Sequence, residues 1–220
     1  MIGDLLPDVV VTEVAYDDPP EARLEPAEEA AVARAVDKRR REFTTVRHCA
    51  RAALTRLGVP YRPLLPGLRG APGWPDGVIG SLTHCEGFRA AAVARAGDLA
   101  SVGIDAEPAQ PLPADVLDLV ALPDERQRLE KLLADHPDTP WDKILFSAKE
   151  SVYKAWFPLM QVFLDFDEAD LVLSPDGTFT ARLLVPGPVV GGRRLDGFDG
   201  RWTVRDGLLA TAIAVPLDGS

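Results

Sequence analysis

Hydrophobic and polar positions divide the chain into two runs of similar design, each made of helices followed by short strands. A strand is expected within "VVVTEVAY" (Val9 to Tyr16), ended by Pro19 and Pro20. Glu28 to Leu57 reads as one long helix or two in series, stopped by Gly58 and Pro60. Phe43, Val46, Ala50, Ala53, Leu54 and Leu57 recur at helical spacing and mark its buried stripe, which Arg47 and Arg51 flank. A Pro- and Gly-rich loop, Pro63 to Gly77, leads into "GVIGSLTH", "FRAAAVAR" and "LASVGIDAE". These three segments read as an antiparallel meander whose small, apolar middle strand is buried on both faces.

Prolines from Pro108 to Pro113 punctuate the chain before helical segments between Ala114 and Asp135. A strong helix is expected from about Trp141, stopped by Pro158. Short strands follow, with hairpin turns at Asp176–Gly177 and Asp206–Gly207. The expected fold is therefore α+β, with two pseudo-symmetric lobes, each a small antiparallel sheet packed with helices. The division is placed at residues 1–103 and 104–220.

Two features of this pattern raise a chemical question. "SVGIDAEP" ends an apolar strand with Asp105 and Glu107, two apart and so on the same face. The helix near Trp141 is apolar almost all round, yet it carries Glu150 and Lys154. An i,i+4 ion pair between them is one account. The other is a site: three carboxylates without a His and Cys cluster suit a hard cation such as Mg2+, with nearby basic groups on phosphate oxygens.

Charge narrows the partners. The 220 residues carry a formal net charge of −10, which argues against nucleic acid or an anionic membrane as partner. Basic residues nevertheless cluster in "DKRRREFTTVRHCAR", as suits a compact polyanion or a solvated helix face. No apolar run approaches the ~20 residues of a membrane span. The N-terminus carries Asp4 and Asp8 without a basic segment, so no signal peptide is expected and a cytoplasmic location is. Cys49 and Cys85 each follow a histidine, and adjacent side chains point apart, which disfavours both a zinc site and a Cys–His nucleophile. Both read as buried small hydrophobes.

"WPDGVIGSLTHCEGFRAAAVA", "SVGIDAEP" and "FSAKESVYKAWF", in that order, resemble the three signature regions of the 4'-phosphopantetheinyl transferases. The version here looks like the two-lobed, Sfp-type group from bacteria that make polyketides, nonribosomal peptides or related lipids. "KRRREFTTVRHCAR" is similar to that group's coenzyme-binding helix.

The resemblance implies a monomer that transfers the 4'-phosphopantetheine arm of coenzyme A to a serine of an acyl or peptidyl carrier protein, releasing 3',5'-ADP. It implies Mg2+ held by Asp105, Glu107 and Glu150, and phosphates contacted by Lys154. Ser81, Thr83, His84, Arg47 and Arg39 fall on coenzyme-binding positions. Many relatives carry a lysine before the "WP" pair; here Pro66 stands there, and Arg69 is the substitute charge. Glu150 is either the base that takes the serine proton or a third metal ligand only. Two rivals use the same residues: a Mg2+-dependent phosphoesterase with water as acceptor, and a non-catalytic coenzyme- or carrier-binding module.

Overall fold

A computed structural model describes residues 1–218; residues 219 and 220, the end of the expected second lobe, lie outside the described residues. The first half contains β1 (Val11–Ala15), α1 (Pro26–Glu29), α2 (Asp37–Arg56), β2 (Val78–Cys85) and β3 (Phe88–Arg95). β4 (Leu99–Pro108) leads to α3 (Ala114–Val120), α4 (Pro123–Asp135) and α5 (Trp141–Met160). β5 (Ala169–Leu173), β6 (Thr178–Leu183), β7 (Val189–Val190), β8 (Arg193–Arg194), β9 (Gly197–Arg205) and β10 (Leu208–Pro216) complete the chain. The fold is α+β, with antiparallel sheets packed with helices.

The expected helix from Glu28 to Leu57 is two elements. A short 3-10 turn at Ala30–Val32 and extended backbone at Val36 separate α1 from α2. Likewise, Pro123 starts α4 as a new helix, because its missing N–H belongs naturally at a first turn. α5 runs past Pro158 to Met160, where Gln161 closes it in the left-handed conformation. A proline this late costs one hydrogen bond and does not stop the last turn.

The meander is corrected more substantially. β3 pairs with β1 and β2 in a three-stranded sheet, order β1-β3-β2. β4 leaves that sheet and pairs antiparallel with β10, at the edge of the order β4-β10-β9-β6-β5. Its register with β10 runs unbroken through residues 103 and 104. The alanine-rich face of β3 (Ala90, Ala92, Ala94, with Phe88) packs on Val102, Ile104 and Ala106 of β4 and Ala210 and Ala212 of β10. Small side chains let the two sheets share one core.

β2 and β4 lie side by side without a backbone ladder. Instead the Ser81 hydroxyl accepts the Ile104 N–H at 3.1 Å, and the Thr83 hydroxyl accepts the Ala106 N–H at 3.1 Å. Two side chains thus satisfy donors that a strand edge would leave unpaired.

The two halves also share a buried device. Pro26 and Pro123 open α1 and α4, and two residues later each helix carries a fully buried glutamate. Glu28 accepts the N–H groups of Glu25 and Leu64, both at 2.9 Å, and the Tyr61 hydroxyl. Glu125 accepts those of Leu122 at 2.7 Å and Leu171 at 2.8 Å, and pairs with Lys149 at 2.8 Å. Glu28 pins the loop at Leu64 to α1 and Glu125 pins strand β5 at Leu171 to α4, and charge-assisted hydrogen bonds offset their burial.

Candidate active site

α5 brings Glu150 and Lys154 against β4 because β4 has a glycine where the helix crosses. A Cβ on Gly103 would lie 2.1 Å from the Ser151 carbonyl oxygen and 2.7 Å from the Ala155 amide nitrogen. Nearby, the Ser101 hydroxyl donates to the Ala155 carbonyl at 2.8 Å. The helix therefore rides directly on the strand backbone.

At this crossing Lys154 does not pair with Glu150, one turn away. Its ammonium donates to Asp105 Oδ1 at 2.7 Å and to the Ile104 carbonyl at 3.0 Å. The other Asp105 oxygen accepts the Ser147 hydroxyl at 2.7 Å, and Thr83 donates to Oδ1 at 3.3 Å. Ser147 and Ser151 both meet the hydroxyl of Thr211, which faces Asp105 across the β4–β10 ladder. Asp105 is thereby held from α5, β2 and, through Ser147, β10.

Glu107 lies further along β4, with the Lys143 ammonium 3.7 Å from its carboxylate. Burial, then the Asp105 charge, pushes the Glu107 carboxyl above its ordinary range. Burial raises Glu150 as well, against the pull of Lys154, and Asp105 adds to the rise. Among the described residues, no hydrogen bond engages the Glu150 carboxylate. Nor, among them, do three or more His, Cys, Asp or Glu side chains close into a ready-made metal cage. Asp105, Glu107 and Glu150 are coupled by charge, while Asp105 and Glu107 are held by lysines.

A cleft of about 360 Å³ opens beside this cluster, with walls from both halves of the chain. Arg39, Arg47, Arg69, Ser81 and His84 line it together with Glu150 and Lys154 of α5. Tyr153, Phe157 and Pro158 make its apolar part. Arg47 is 6% exposed, lies 3.4 Å over the Phe43 ring and leaves its Nε without a partner. Burial draws its guanidinium down to about 10, so it stays charged at neutral pH. The Arg39 guanidinium donates to His84 Nε2, which places the imidazole proton on Nδ1, 3.4 Å from Glu42. Burial, then the Arg39 charge, pushes His84 below its usual range. Arg69 sits at the tip of a loop closed by the Pro66–Pro72 bridge, in left-handed backbone (φ 53°). Its guanidinium stacks 4.8 Å over the Phe163 ring.

Thr83 does not line this cleft, because its buried hydroxyl is engaged with β4 and Asp105. Both cysteines are free. Burial raises Cys49 to about 11; burial, then Glu107 and Asp105, raises Cys85 to about 12. Neither is a thiolate nucleophile at neutral pH.

Residues 27–94 match the family described as "4'-phosphopantetheinyl transferase N-terminal domain", and residues 101–206 match the "4'-phosphopantetheinyl transferase superfamily". The chain belongs to the 4'-phosphopantetheinyl transferase superfamily. It is 66% identical to the 4'-phosphopantetheinyl transferase Svp of Streptomyces mobaraensis over 98% of this chain and 89% of that protein. It is 48% identical to Npt of Nocardia iowensis, over 97% and 99% of the two chains. It is 47% identical to PptT of Mycobacterium tuberculosis (strain ATCC 25618 / H37Rv), over 98% of each.

In this transferase the residues that sequence reasoning missed are Ser147, Thr211 and Lys143. Thr211 lies in a tail with no motif, and only the β4–β10 register places it opposite Asp105. Ser147 stands within "FSAKESVYKAWF", where its small polar side chain on an apolar helix was the available signal.

Proposed function

We propose that this transferase moves the 4'-phosphopantetheine arm of coenzyme A to a serine hydroxyl of an acyl or peptidyl carrier protein, with Mg2+, releasing 3',5'-ADP. The observation that carries this reading is the cleft itself. Four basic side chains, Arg39, Arg47, Arg69 and Lys154, line it together with His84 and Glu150, and Lys154 is bonded to Asp105 of β4. Such an arrangement suits a phosphorylated substrate with an apolar arm better than a neutral one.

Arg47 and Arg39 hold the anionic end of the coenzyme. Arg47 brings a buried charge and an unpartnered N–H, and Arg39 can leave a neutral imidazole for a phosphate. His84, Ser81 and Arg69 add contacts in the same cleft, and the pantetheine arm lies along Tyr153 and Phe157. Thr83 acts through Asp105. Lys154 steers the diphosphate toward β4.

Asp105, Glu107 and Glu150 are an all-oxygen donor set that fits Mg2+, and Glu150 has a carboxylate free to engage one. Bound there, the ion would supply Lewis-acid polarisation and charge neutralisation at the diphosphate. Glu150, with its carboxyl raised above the usual range, accepts the serine proton.

The test is mass spectrometry of an apo carrier incubated with the protein, coenzyme A and Mg2+. A gain equal to one phosphopantetheine arm, lost with chelator, is expected. Free phosphopantetheine without carrier would make the protein a phosphoesterase, and coenzyme binding without product would make it a binding module. Arg47→Ala is expected to weaken coenzyme affinity about tenfold by calorimetry, with a smaller effect on the saturated rate. Unchanged affinity would remove Arg47 from the site.

A further inference from the structure

We propose that Lys143 is a displaceable counter-charge for Glu107, and that it makes the divalent cation bind together with the coenzyme diphosphate rather than ahead of it. This rests on the metal reading of Asp105, Glu107 and Glu150 given above.

Lys143 lies in the first turn of α5, two turns before Glu150. Its side chain is only 14% exposed, and its ammonium lies 3.7 Å from the Glu107 carboxylate and 5.7 Å over the Phe146 ring. An ammonium so covered needs an opposite charge nearby. At that distance the pair is electrostatic rather than hydrogen-bonded, so an incoming charge can replace it without breaking a hydrogen bond. Lys154 differs: it is tied to both Asp105 and the Ile104 carbonyl. Of the two lysines, Lys143 is the one built to move.

The charge balance gives the consequence. Three carboxylates face two ammonium groups, leaving one net negative charge. A divalent cation arriving alone finds Glu150 without an ion pair among the described residues, but must displace an ammonium to gain Asp105 or Glu107 as a further ligand. A diphosphate arriving with it brings the negative charge that the extra cation requires. The same placement accounts for the carboxylates not closing into a cage: lysines hold Asp105 and Glu107.

The experiment is a Mn2+ titration of the metal-free protein, followed by the electron paramagnetic resonance signal of free Mn2+, with and without coenzyme A. Wild type is expected to bind Mn2+ at least about tenfold more tightly with coenzyme. Lys143→Met is expected to raise the coenzyme-free affinity about fivefold and shrink the coenzyme effect, corresponding to an ion pair of about 1 kcal/mol. Lys143→Arg should behave as wild type, and Lys143→Gln serves as a second neutral variant. Coenzyme-free affinity in Lys143→Met and Lys143→Gln equal to wild type overturns the inference. Equal Mn2+ binding by Asp105→Asn and wild type in the presence of coenzyme overturns the metal assignment itself, and this inference with it.

Discussion

Asp105→Asn is expected to slow carrier modification by about 10²–10³-fold at saturating magnesium, with the fold retained. The amide keeps the shape of the carboxylate and can still meet Ser147, Thr83 and Lys154, the groups that hold Asp105 in place. What it loses is the negative charge. That loss weakens the cation site and leaves Lys154 without the counter-charge that fixes it 2.7 Å from β4. The effect should appear mainly in the rate at saturating coenzyme, because Arg47 and Arg39 bind the other end of the substrate. Carrier mass spectrometry gives the rate and circular dichroism the folding check. A folded variant with turnover within about threefold of wild type would contradict the role assigned to Asp105.

Gly103→Val should damage the fold and the site together. Any Cβ at this position meets the α5 backbone, at 2.1 Å from the Ser151 carbonyl oxygen, and that carbonyl cannot swing aside as a side chain can. Either α5 lifts from β4 or β4 shifts against β10. Overpacking of this kind costs at least about 3 kcal/mol. In a chain of this length that lowers the unfolding midpoint by about 6–12 °C. The residual folded protein should also lose activity, since Glu150 and Lys154 immediately precede the residues that would be displaced. Gly103→Ala meets the same carbonyl with a smaller side chain and should show the same effect in reduced form. A midpoint for Gly103→Val within about 2 °C of wild type would show that the helix does not need this close approach.

The elements themselves were legible because their signals are local. Apolar spacing in α2, small residues in β3, and the Asp-Gly turns depend on neighbours within a few positions, and the structure has them where they were expected. The proline positions were legible only in part. Pro123 begins a helix, where its missing N–H had no intrahelical carbonyl to serve, whereas Pro158 sits inside the last turn and takes a donor from the carbonyl four residues earlier. Arg39, Arg47, Arg69, Ser81 and His84, grouped by motif resemblance, all line one cleft, although they come from a helix, a loop and a strand.

By itself the sequence determined which chemistry was available: an acidic pair on one strand face, a carboxylate and a lysine on an apolar helix, and a basic stretch preceding a Pro-Gly loop. Tertiary structure decided who meets whom. Spacing along the helix offered Lys154 to Glu150, but close packing over Gly103 places Asp105 within its reach, with a backbone carbonyl besides. Thr83, a candidate ligand contact by motif, became a strap on β4 because that strand changed sheets and left its edge to be satisfied. Local spacing fixes which side chains share a face; a buried ammonium goes to whichever anion the packing of distant segments brings nearest.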